Sequence, residues 1–309
     1  MALSLPSVSI VTPSYNQGRF IAATIDSVLN QNYPNVEYVV MDGGSTDQTV
    51  EILKGYGERI AWVSERDDGQ SDALNKGFGR TRGEILGWLN SDDTYSPGAI
   101  AAAAEYFATH PDVAMVYGDA DYIDATGGRI GRCAHVEPFN LHRLLYYSDF
   151  IVQPAAFFRR SAFEAVGGID ASLHFCMDYD LWLKIGGRFK MAYLPRVLAN
   201  FRWFGGNKTA VGGQRRFDEI EAMVRRHGAP GLPAYVRLEA VRMHLHDGLC
   251  AAGKARIGQA ASSTWRALSV LLPSGRALAS LFSPLTWKII WTGQVLRSKT
   301  RKVSAAKQR

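Results

Sequence analysis

The chain has 309 residues, of which 47% are hydrophobic and 21% are charged, and its formal net charge is +6. This composition is typical of a globular protein and excludes a predominantly disordered or fibrous chain. No stretch reaches the roughly 18 uncharged apolar residues that a membrane-spanning helix needs, and we recognise no secretory signal before the first predicted strand.

Strands and helices alternate from the N-terminus onward. β-branched runs bounded by Pro, Asn and Gly predict strands, and apolar residues at helical spacing predict helices. The predicted elements are a strand over 7–13, a helix from Phe20 to about Leu29, a strand over 36–41, a helix over 49–56 and a strand over 60–63. This β-α-β-α-β order predicts an α/β fold with a mainly parallel sheet and helices on both faces.

Polar motifs follow three of the predicted strands, at 12–16, 42–47 and 90–93. Ligands of such sheets bind outside the carboxyl ends of the strands. In the third motif, Asp92 and Asp93 come directly after an apolar strand. Adjacent carboxylates suit a hard divalent cation beside a phosphorylated ligand. An Asp-rich turn in which Asn90 or Ser91 caps a helix is the alternative.

Five stretches in this order resemble the inverting glycosyltransferases of family 2, which have the GT-A fold. They span roughly the first 210 residues and are Val8–Asn16, Asp42–Asp47, Gly69–Gly77, Asn90–Asp93 and Met177–Trp182. The resemblance implies a Rossmann-like GT-A catalytic domain over 1–228. The composition of the remaining residues predicts a helical, basic amphipathic extension over 229–309. It also implies a nucleoside-diphosphate sugar as donor.

The resemblance assigns a nucleotide-sugar site to the ends of these strands. Tyr15 would stack on the base and Asp42 would accept a hydrogen bond from it. The alternative is that Tyr15 is a rim aromatic and Asp42 a turn former. Asp72 and Lys76 would contact ribose and diphosphate, although residues near 71–72 would also serve as a simple helix cap. The full set is Pro13, Tyr15, Asp42, Gly44, Asp72, Lys76, Asn90, Ser91, Asp93 and Lys208. Lys208 would add a cation as its loop closes, or would be an ordinary surface lysine.

The metal motif departs from the family pattern. The family has Asp-X-Asp, whereas this chain has Asn90-Ser91-Asp92, which removes one negative charge. Asp92 is therefore the one predicted direct protein ligand of Mg²⁺ or Mn²⁺, and Asn90 and Asp93 would act through ribose, water or hydrogen bonds. With so few protein ligands, we expect poor metal affinity in the absence of nucleotide.

The predicted catalytic residue is Asp178. The family often has Glu-Asp at this position, and here Met177 replaces the glutamate. A carboxylate general base is required because an acceptor hydroxyl is a poor nucleophile. The alternatives are that Asp178 only caps the helix that follows, or that Asp180 is the base. Attack opposite a metal-bound diphosphate would invert the anomeric configuration.

The basic residues are concentrated at the C-terminus. After Asp247 the chain has 11 Lys and Arg residues and no Asp or Glu, interspersed with apolar residues that include Trp287 and Trp291. Cationic segments with tryptophan bind anionic bilayers, so we expect peripheral attachment to the inner face of the plasma membrane. Packing on the catalytic domain is the main alternative, and nucleic-acid binding is disfavoured because no reading motif is present.

The expected function is metal-dependent, inverting transfer of a sugar to a glycan or lipid-linked glycan acceptor in cell-surface polysaccharide synthesis. The odd number of cysteines, without metal-site spacing, favours a reduced cytoplasmic setting. A nucleotidyltransferase and a catalytically silent nucleotide-sugar-binding scaffold are the alternatives. The first should have a Gly-rich basic loop after strand one, which Thr12–Asn16 is not.

Overall fold

The structure, a computed structural model, describes residues 5–133, 135–253 and 257–271. The chain divides into two compact units. The first consists of Met1–Phe139 and Phe150–Phe204, and the second of Asn140–Asp149 and Gly205–Arg309. The predicted division into functional domains at residue 228 differs from this structural division, and it stays a prediction.

The first unit is built on a nine-stranded sheet in which the main path is ordered β3-β2-β1-β4-β8-β6-β9-β5, and β7 pairs with β6. The strands are β1 Val8–Ser14, β2 Val36–Asp42, β3 Ala61–Ser64, β4 Ile85–Trp88, β5 Thr94–Tyr95, β6 Val113–Ile123, β7 Arg129–Arg132, β8 Ala156–Arg159 and β9 Lys190–Arg202. The described helices are α1 Ile21–Leu29, α2 Thr49–Gly55, α3 Gln70–Gly79, α4 Ala99–Thr109, α5 Leu141–Tyr146, α6 Arg160–Ala165, α7 Met177–Gly186, α8 Lys208–Val211, α9 Gly213–Arg226, α10 Ala234–Gly253 and α11 Ile257–Leu271.

The N-terminal half of the sheet confirms the predicted alternation. Strands β3, β2, β1 and β4 are all parallel, so their carboxyl ends meet at one edge. Successive side chains of a strand point to opposite faces. Accordingly, Ile10 and Val40 are buried in one cluster with Ile25 of α1, while Gly77 of α3 lies against Val11 on the other face. Helices therefore cover both faces.

The second half of the sheet is mixed, which the sequence analysis did not anticipate. Strand β8 is antiparallel to both β4 and β6, whereas β9 is parallel to β6. Strand β5 follows the acidic motif directly and turns back antiparallel to β9, with Thr94 opposite Asn200. These pairings bring the carboxyl end of β9 next to the acidic motif.

The second unit contains α5 and α8–α11, which agrees with the predicted helical C-terminal region as far as Leu271. The predicted tryptophan-bearing amphipathic part, including Trp287 and Trp291, lies outside the described residues. Within the described part of the chain, no helix combines the length and the apolar character needed to cross a membrane.

Candidate active site

The first turn of α3 connects the two acidic segments that the sequence analysis singled out. Gly69 precedes the helix with φ +107°, a left-handed conformation that favours glycine. Gln70 Nε2 then donates to Asn90 Oδ1 at 2.7 Å. The next residue, Ser71, is buried and donates its hydroxyl to the carbonyl of Leu173 at 2.9 Å. Consecutive side chains therefore bond to the turn that holds Asp92 and to the segment that leads into α7.

A second pair of hydrogen bonds holds the segment before α7. Asn75 Nδ2 donates to the carbonyl of Ile169 at 2.8 Å, and Asn75 Oδ1 accepts from the amide of Ile169 at 3.1 Å. The side-chain amide of Asn75 thus forms hydrogen bonds with both the backbone N–H and the backbone carbonyl of Ile169, 94 positions away in sequence. Together with the Ser71 bond, these two bonds hold the segment before Asp178 against α3. Through Gln70, the same helix also contacts residues 90–93, which we call the acidic turn.

The side chain of Asn90 is held in a chain of directed hydrogen bonds. Its Oδ1 accepts from Trp88 Nε1 and from Gln70 Nε2, each at 2.7 Å. Its Nδ2 donates to Gln153 Oε1 at 2.8 Å, and Gln153 Nε2 donates to the carbonyl of Trp88 at 2.6 Å. Asn90 therefore orders the start of residues 90–93, which is compatible with the predicted role through hydrogen bonds, whereas a contact with ribose or water stays a prediction.

The acidic turn is fixed from below by Thr24 of α1. The buried Thr24 hydroxyl lies 3.0 Å from the carbonyl of Ser91 and 2.7 Å from that of Asp93. Ser91 is itself buried. Ser91 therefore lies on the buried side of the turn. The negative charge of the turn comes from Asp92 and Asp93.

Asp92 and Asp93 differ in their surroundings. Asp92 is half-buried, whereas Asp93 is 1% exposed and its Oδ1 accepts from the backbone amide of Arg202 at 2.8 Å. Burial raises the pKa of Asp92. Burial, reinforced by repulsion from Asp92, raises the pKa of Asp93 well above its usual range. A cation bound here would stabilise the ionised carboxylates.

The donor atoms of this turn suit a divalent cation. Asp93 Oδ2 is buried and has no hydrogen-bond partner among the described residues, and oxygen is the ligand that Mg²⁺ and Mn²⁺ prefer. Within those residues, no group of three or more His, Cys, Asp and Glu side chains is arranged to hold a metal. The protein thus offers Asp92 and Asp93, and we expect the donor diphosphate and water to complete the coordination.

Asp42 lies at the carboxyl end of β2, where the predicted base pocket would be. It is 2% exposed, and its Oδ2 accepts from the amide of Ser45 at 2.9 Å and from Ser64 Oγ at 2.6 Å. The Ser45 hydroxyl donates to Oδ1. These donors fix the carboxylate in one orientation and occupy both of its oxygens, which also fits a turn former, so base recognition by Asp42 stays a prediction.

The other residues predicted for the base side lie at the same edge. Pro13 is buried near the end of β1, and Tyr15 follows the strand with 61% of its surface exposed. Gly44 has φ +78°, a left-handed conformation that favours glycine, and it packs against the backbone at 65–66. The exposed ring of Tyr15 next to the fixed Asp42 is compatible with a stacking surface for a base.

Asp72 and Lys76 are paired with each other on α3. Their side chains approach to 2.6 Å at a spacing of four residues. The bond to Lys76 lowers the pKa of Asp72, and Asp72 raises that of Lys76. Because both are partly exposed, the pair contributes little to stability. Contacts of either residue with ribose or diphosphate stay a prediction, and they would exchange the present pairing for a ligand.

The surroundings of α7 distinguish Asp178 from Asp180. Asp180 is 2% exposed, and its carboxylate lies 2.7 Å from Lys184 Nζ. Asp178 is half-buried in the first turn and accepts from the amide of Tyr179 at 2.9 Å. The ion pair with Lys184 gives Asp180 a structural role, whereas Asp178 is less deeply buried, and its role as base stays a prediction. Lys208, the other predicted contact, begins α8 in the second unit, and its role stays a prediction.

Sequence reasoning missed two residues that order the acidic turn. Gln153 was assigned no chemistry although it precedes a proline in a stretch similar to the family's, and it bonds to Asn90. Arg202 was not considered at all. Its Nε donates to the carbonyl of Asp92 at 2.7 Å, in addition to the backbone bond to Asp93. The strand that ends at Arg202 also contains Lys190 and Arg196, so nothing in the sequence singled Arg202 out.

Comparison with known proteins agrees with this geometry. The sequence profile described as glycosyl transferase family 2 matches residues 9–167. The chain belongs to this family. A relative from Mycobacterium bovis (strain BCG / Pasteur 1173P2), named PGL/p-HBAD biosynthesis glycosyltransferase, is 30% identical over 216 residues, which cover 68% of this chain and 82% of the relative. A glycosyltransferase of Mycobacterium tuberculosis (strain CDC 1551 / Oshkosh), named as uncharacterized, is 31% identical over 228 residues, with 73% and 84% covered.

Solved structures confirm the fold of this family 2 glycosyltransferase. S. aureus TarS 1-349 in complex with UDP-GlcNAc has a TM-score of 0.60 at 16% identity, covering 98% of this chain and 91% of that one. The mannosyltransferase PcManGT from Pyrobaculum calidifontis, in complex with GDP-Man and Mn²⁺, has a TM-score of 0.59 at 19% identity, with 97% and 88% covered. The predicted GT-A fold is thereby confirmed, and the family profile together with the curated relatives confirms the predicted glycosyltransferase class.

Proposed function

We propose that this enzyme transfers a sugar from a nucleoside-diphosphate sugar to a glycan or lipid-linked glycan acceptor, with inversion and with a divalent cation. The observation that supports it most is the bonding of consecutive residues Gln70 and Ser71 to the acidic turn and to the segment before α7. It ties the candidate metal turn and the candidate base to one helix end. The structures bound to UDP-GlcNAc and to GDP-Man with Mn²⁺ support the class of donor and of cofactor.

In this proposal each acidic residue has a distinct task. Asp178 accepts the proton of the acceptor hydroxyl while that oxygen attacks the anomeric carbon. Asp92, supported by Asp93, would hold Mg²⁺ or Mn²⁺, which supplies charge stabilisation to a departing diphosphate. Asp42 and Tyr15 would orient the base. Attack from the side opposite the leaving group gives inversion.

Donor hydrolysis and transfer test this proposal. A panel of uridine, guanosine and thymidine diphosphate sugars is incubated with Mg²⁺ or Mn²⁺, and released nucleoside diphosphate is measured. For the best donor, Asp178→Asn should lower turnover by about 10² to 10⁴-fold, the usual contribution of a general base. Donor binding, measured by calorimetry, should change less than threefold. Asp112→Asn, which alters an exposed carboxylate before β6, is the matched control.

Two outcomes would contradict the proposal. Release of no nucleoside diphosphate from any donor would favour a silent nucleotide-sugar-binding scaffold, for which the replacement of expected acids by Asn90 and Met177 is the motivating observation. Near-normal turnover by Asp178→Asn would remove the base assignment. The metal assignment is tested separately, because Asp92→Ala should weaken donor binding only when Mg²⁺ or Mn²⁺ is present.

We also propose that the enzyme acts at the cytoplasmic face of the membrane in polysaccharide assembly. The excess of 11 basic residues after Asp247 supports an anionic surface as partner. Sedimentation with vesicles tests this: binding to phosphatidylglycerol-containing vesicles should fall steeply with salt and be absent with phosphatidylcholine alone. Equal sedimentation with both lipids, or with neither, would contradict it.

A further inference from the structure

Most of the exposed large apolar side chains belong to the second unit. Among the described residues seven such side chains are exposed, and only Tyr15 is part of the first unit. The other six are Tyr146, Tyr147, Val211, Leu245, Leu249 and Trp265. Tyr15 has a predicted role in the base pocket, whereas none of the six is a predicted contact of the donor, the metal or the acceptor hydroxyl. A concentration of exposed apolar side chains in one region is typical of an interaction surface.

Three of the six lie on the two long helices of this unit. Helix α10 ends at Gly253 and α11 begins at Ile257, and the two helices pack against each other as an αα-hairpin does. We call residues 234–271 the C-terminal hairpin. Leu245 and Leu249 are four positions apart and therefore share one face of α10. Leu245 is eight positions before the end of α10 and Trp265 is eight positions after the start of α11, so both lie at the same level of the hairpin.

These side chains are far more exposed than their apolar neighbours on the same helices. Leu249 is 75% exposed and Trp265 is 68% exposed, whereas Val241 and Ala267 are buried. The hairpin therefore packs one set of apolar side chains within the unit and presents a second set to solvent. Water around a Leu and a Trp side chain is unfavourable, and a partner that removes this surface from water gains free energy.

The charge of the second unit indicates the kind of partner. Its sequence contains 19 Lys and Arg residues and 6 Asp and Glu residues, whereas the first unit contains 16 and 23. In the C-terminal hairpin, five basic residues stand against Glu239 and Asp247. Glu239 is 3.0 Å from Arg216 of α9, and Asp247 is 3.7 Å from His246. Positive charge beside exposed Leu and Trp is complementary to an anionic bilayer, which has phosphate groups above an apolar interior.

A second copy of the chain is a less suitable partner for this surface. It would bring together two units with the same excess of positive charge, and like charges repel. The basic residues also continue beyond the hairpin, because residues 272–309 contain eight Lys and Arg residues and no Asp or Glu. Tryptophan, the largest of the three exposed side chains, is enriched where membrane and water meet, since its ring is apolar and its N–H is polar.

We infer that the C-terminal hairpin inserts Leu245, Leu249 and Trp265 into the interface of an anionic bilayer. The inference rests on the proposed membrane association and adds a binding site to it. The basic residues attract the protein to the surface over a distance, and the hairpin then buries apolar side chains at the boundary between head groups and acyl chains. Helices that bind in this way bury their apolar face about 5–10 Å deep.

A fluorescent probe on Cys250 tests the insertion. Cys250 is exposed and follows Leu249 on α10, whereas Cys133 and Cys176 are buried, so a maleimide probe on the folded full-length protein reports from the hairpin. A nitrobenzoxadiazole probe should shift its emission to shorter wavelength when vesicles containing phosphatidylglycerol are added. Lipids brominated near the carbonyl end of the acyl chain should quench it.

The control carries the same probe on the first unit, at Asn35→Cys in a Cys250→Ser background. Asn35 is exposed and uncharged, so this change leaves the net charge of the protein unaltered. Its emission should stay constant while the same vesicles sediment with the protein.

Vesicle sedimentation measures how much the apolar side chains contribute. Trp265→Ser should lower the partition coefficient by about fivefold or more, and Leu249→Ser by about threefold or more. The salt dependence of binding should stay the same, because neither change alters a charge. Val211→Ser is the matched control, since Val211 is exposed on α8 outside the hairpin, and it should bind as wild type does. Circular dichroism of each variant verifies that the helices are intact.

Two results would overturn the inference. The first is constant emission from Cys250 on vesicles that sediment with the protein, together with wild-type affinity of Trp265→Ser and Leu249→Ser. Attachment would then be electrostatic alone, and the proposed membrane association would stand without the insertion. The second is short-wavelength emission before vesicles are added, because a second copy or residues 272–309 would then cover the hairpin.

Two other outcomes separate the insertion from the proposed membrane association. An emission shift with phosphatidylcholine alone would support the insertion and contradict the proposed requirement for anionic lipid. A protein that sediments with no vesicle of either composition would reject both.

Discussion

Replacing Asn75 by Ala should lower both the stability of the first unit and the turnover number of the enzyme. The variant removes two hydrogen bonds, of 2.8 and 3.1 Å, from the side chain to the backbone of Ile169. At about 1 kcal/mol net for each bond, the free energy of unfolding should fall by about 2 kcal/mol. Because Ile169 is 3% exposed, water can replace these bonds only poorly, which makes this a lower bound.

The expected change is large enough to measure by calorimetry. For a cooperative unit of about 150–250 residues, 1 kcal/mol corresponds to roughly 2–4 °C, so the melting temperature should fall by about 4–8 °C. Asn35→Ala is the control, because Asn35 is exposed and its side chain forms no hydrogen bond within the described part of the chain. If Asn75→Ala melts within 1 °C of that control, the bonds to Ile169 contribute nothing measurable and the reasoning fails.

The same variant should separate turnover from donor binding. Ile169 leads into the segment that Ser71 holds at Leu173, and α7 with Asp178 follows. Loosening this segment should lower kcat at least tenfold while changing the KM for the donor less than threefold, because the strand ends that bear Tyr15 and Asp42 are unaffected. A fall in kcat that only matches the unfolded fraction of the same sample, measured by circular dichroism, would indicate loss of folded enzyme instead of displacement of the base.

Three further changes test other parts of the structure. Thr24→Val removes the hydroxyl that bonds to two carbonyls of the acidic turn. It should lower the free energy of unfolding in urea by about 1–3 kcal/mol and weaken Mn²⁺-dependent donor binding. A decrease below about 0.3 kcal/mol would contradict the role of Thr24 in holding the turn. Gly77→Ala places a Cβ 2.4 Å from a side chain of β1, so we expect about 1–3 kcal/mol of destabilisation by chemical unfolding; a stabilised variant would show that the helix can move. In native protein at pH 8, iodoacetamide should modify the exposed Cys250 but not the buried Cys133 and Cys176. Burial raises the pKa of Cys133, which keeps it a thiol, and mass spectrometry showing rapid labelling of all three would refute this.

The parallel part of the fold was predictable because its information is local. The strand Val36–Asp42 and the helix Thr49–Gly55 each agree within one residue with the predicted element, since β-branched runs and helical spacing mark them directly. The mixed part was not predictable in this way. The two-residue strand Thr94–Tyr95 has no periodicity of its own, and it exists because β9 offers it an edge. Long-range pairing, which sequence spacing does not encode, decided that region.

In the candidate site, too, the residues marked by local motifs were predictable, and those that depend on long-range contacts were not. Asp92 and Asp178 were found from motifs, because each motif carries its chemistry within a few residues. Their support was not found, because it depends on partners far apart in sequence. Gln153 is separated from Asn90 by 63 positions and Arg202 from Asp92 by 110. The candidate chemical residues were thus readable from the sequence, whereas the residues that position them became visible only in the structure.

The replacement of the first motif acid by Asn90 now has a physical explanation. Trp88 Nε1 can only donate a hydrogen bond, so the Asn90 atom beside it must be the carbonyl oxygen. At the other end of this series of hydrogen bonds, the Trp88 backbone carbonyl can only accept, so Gln153 must donate to it through Nε2. Between these fixed ends, Asn90 has to donate to Gln153 Oε1. An aspartate has no hydrogen to give, and its second oxygen would face another acceptor in a half-buried position, which is destabilising. Asparagine is therefore the side chain that this turn requires, and the predicted metal contact rests on the acids that follow it.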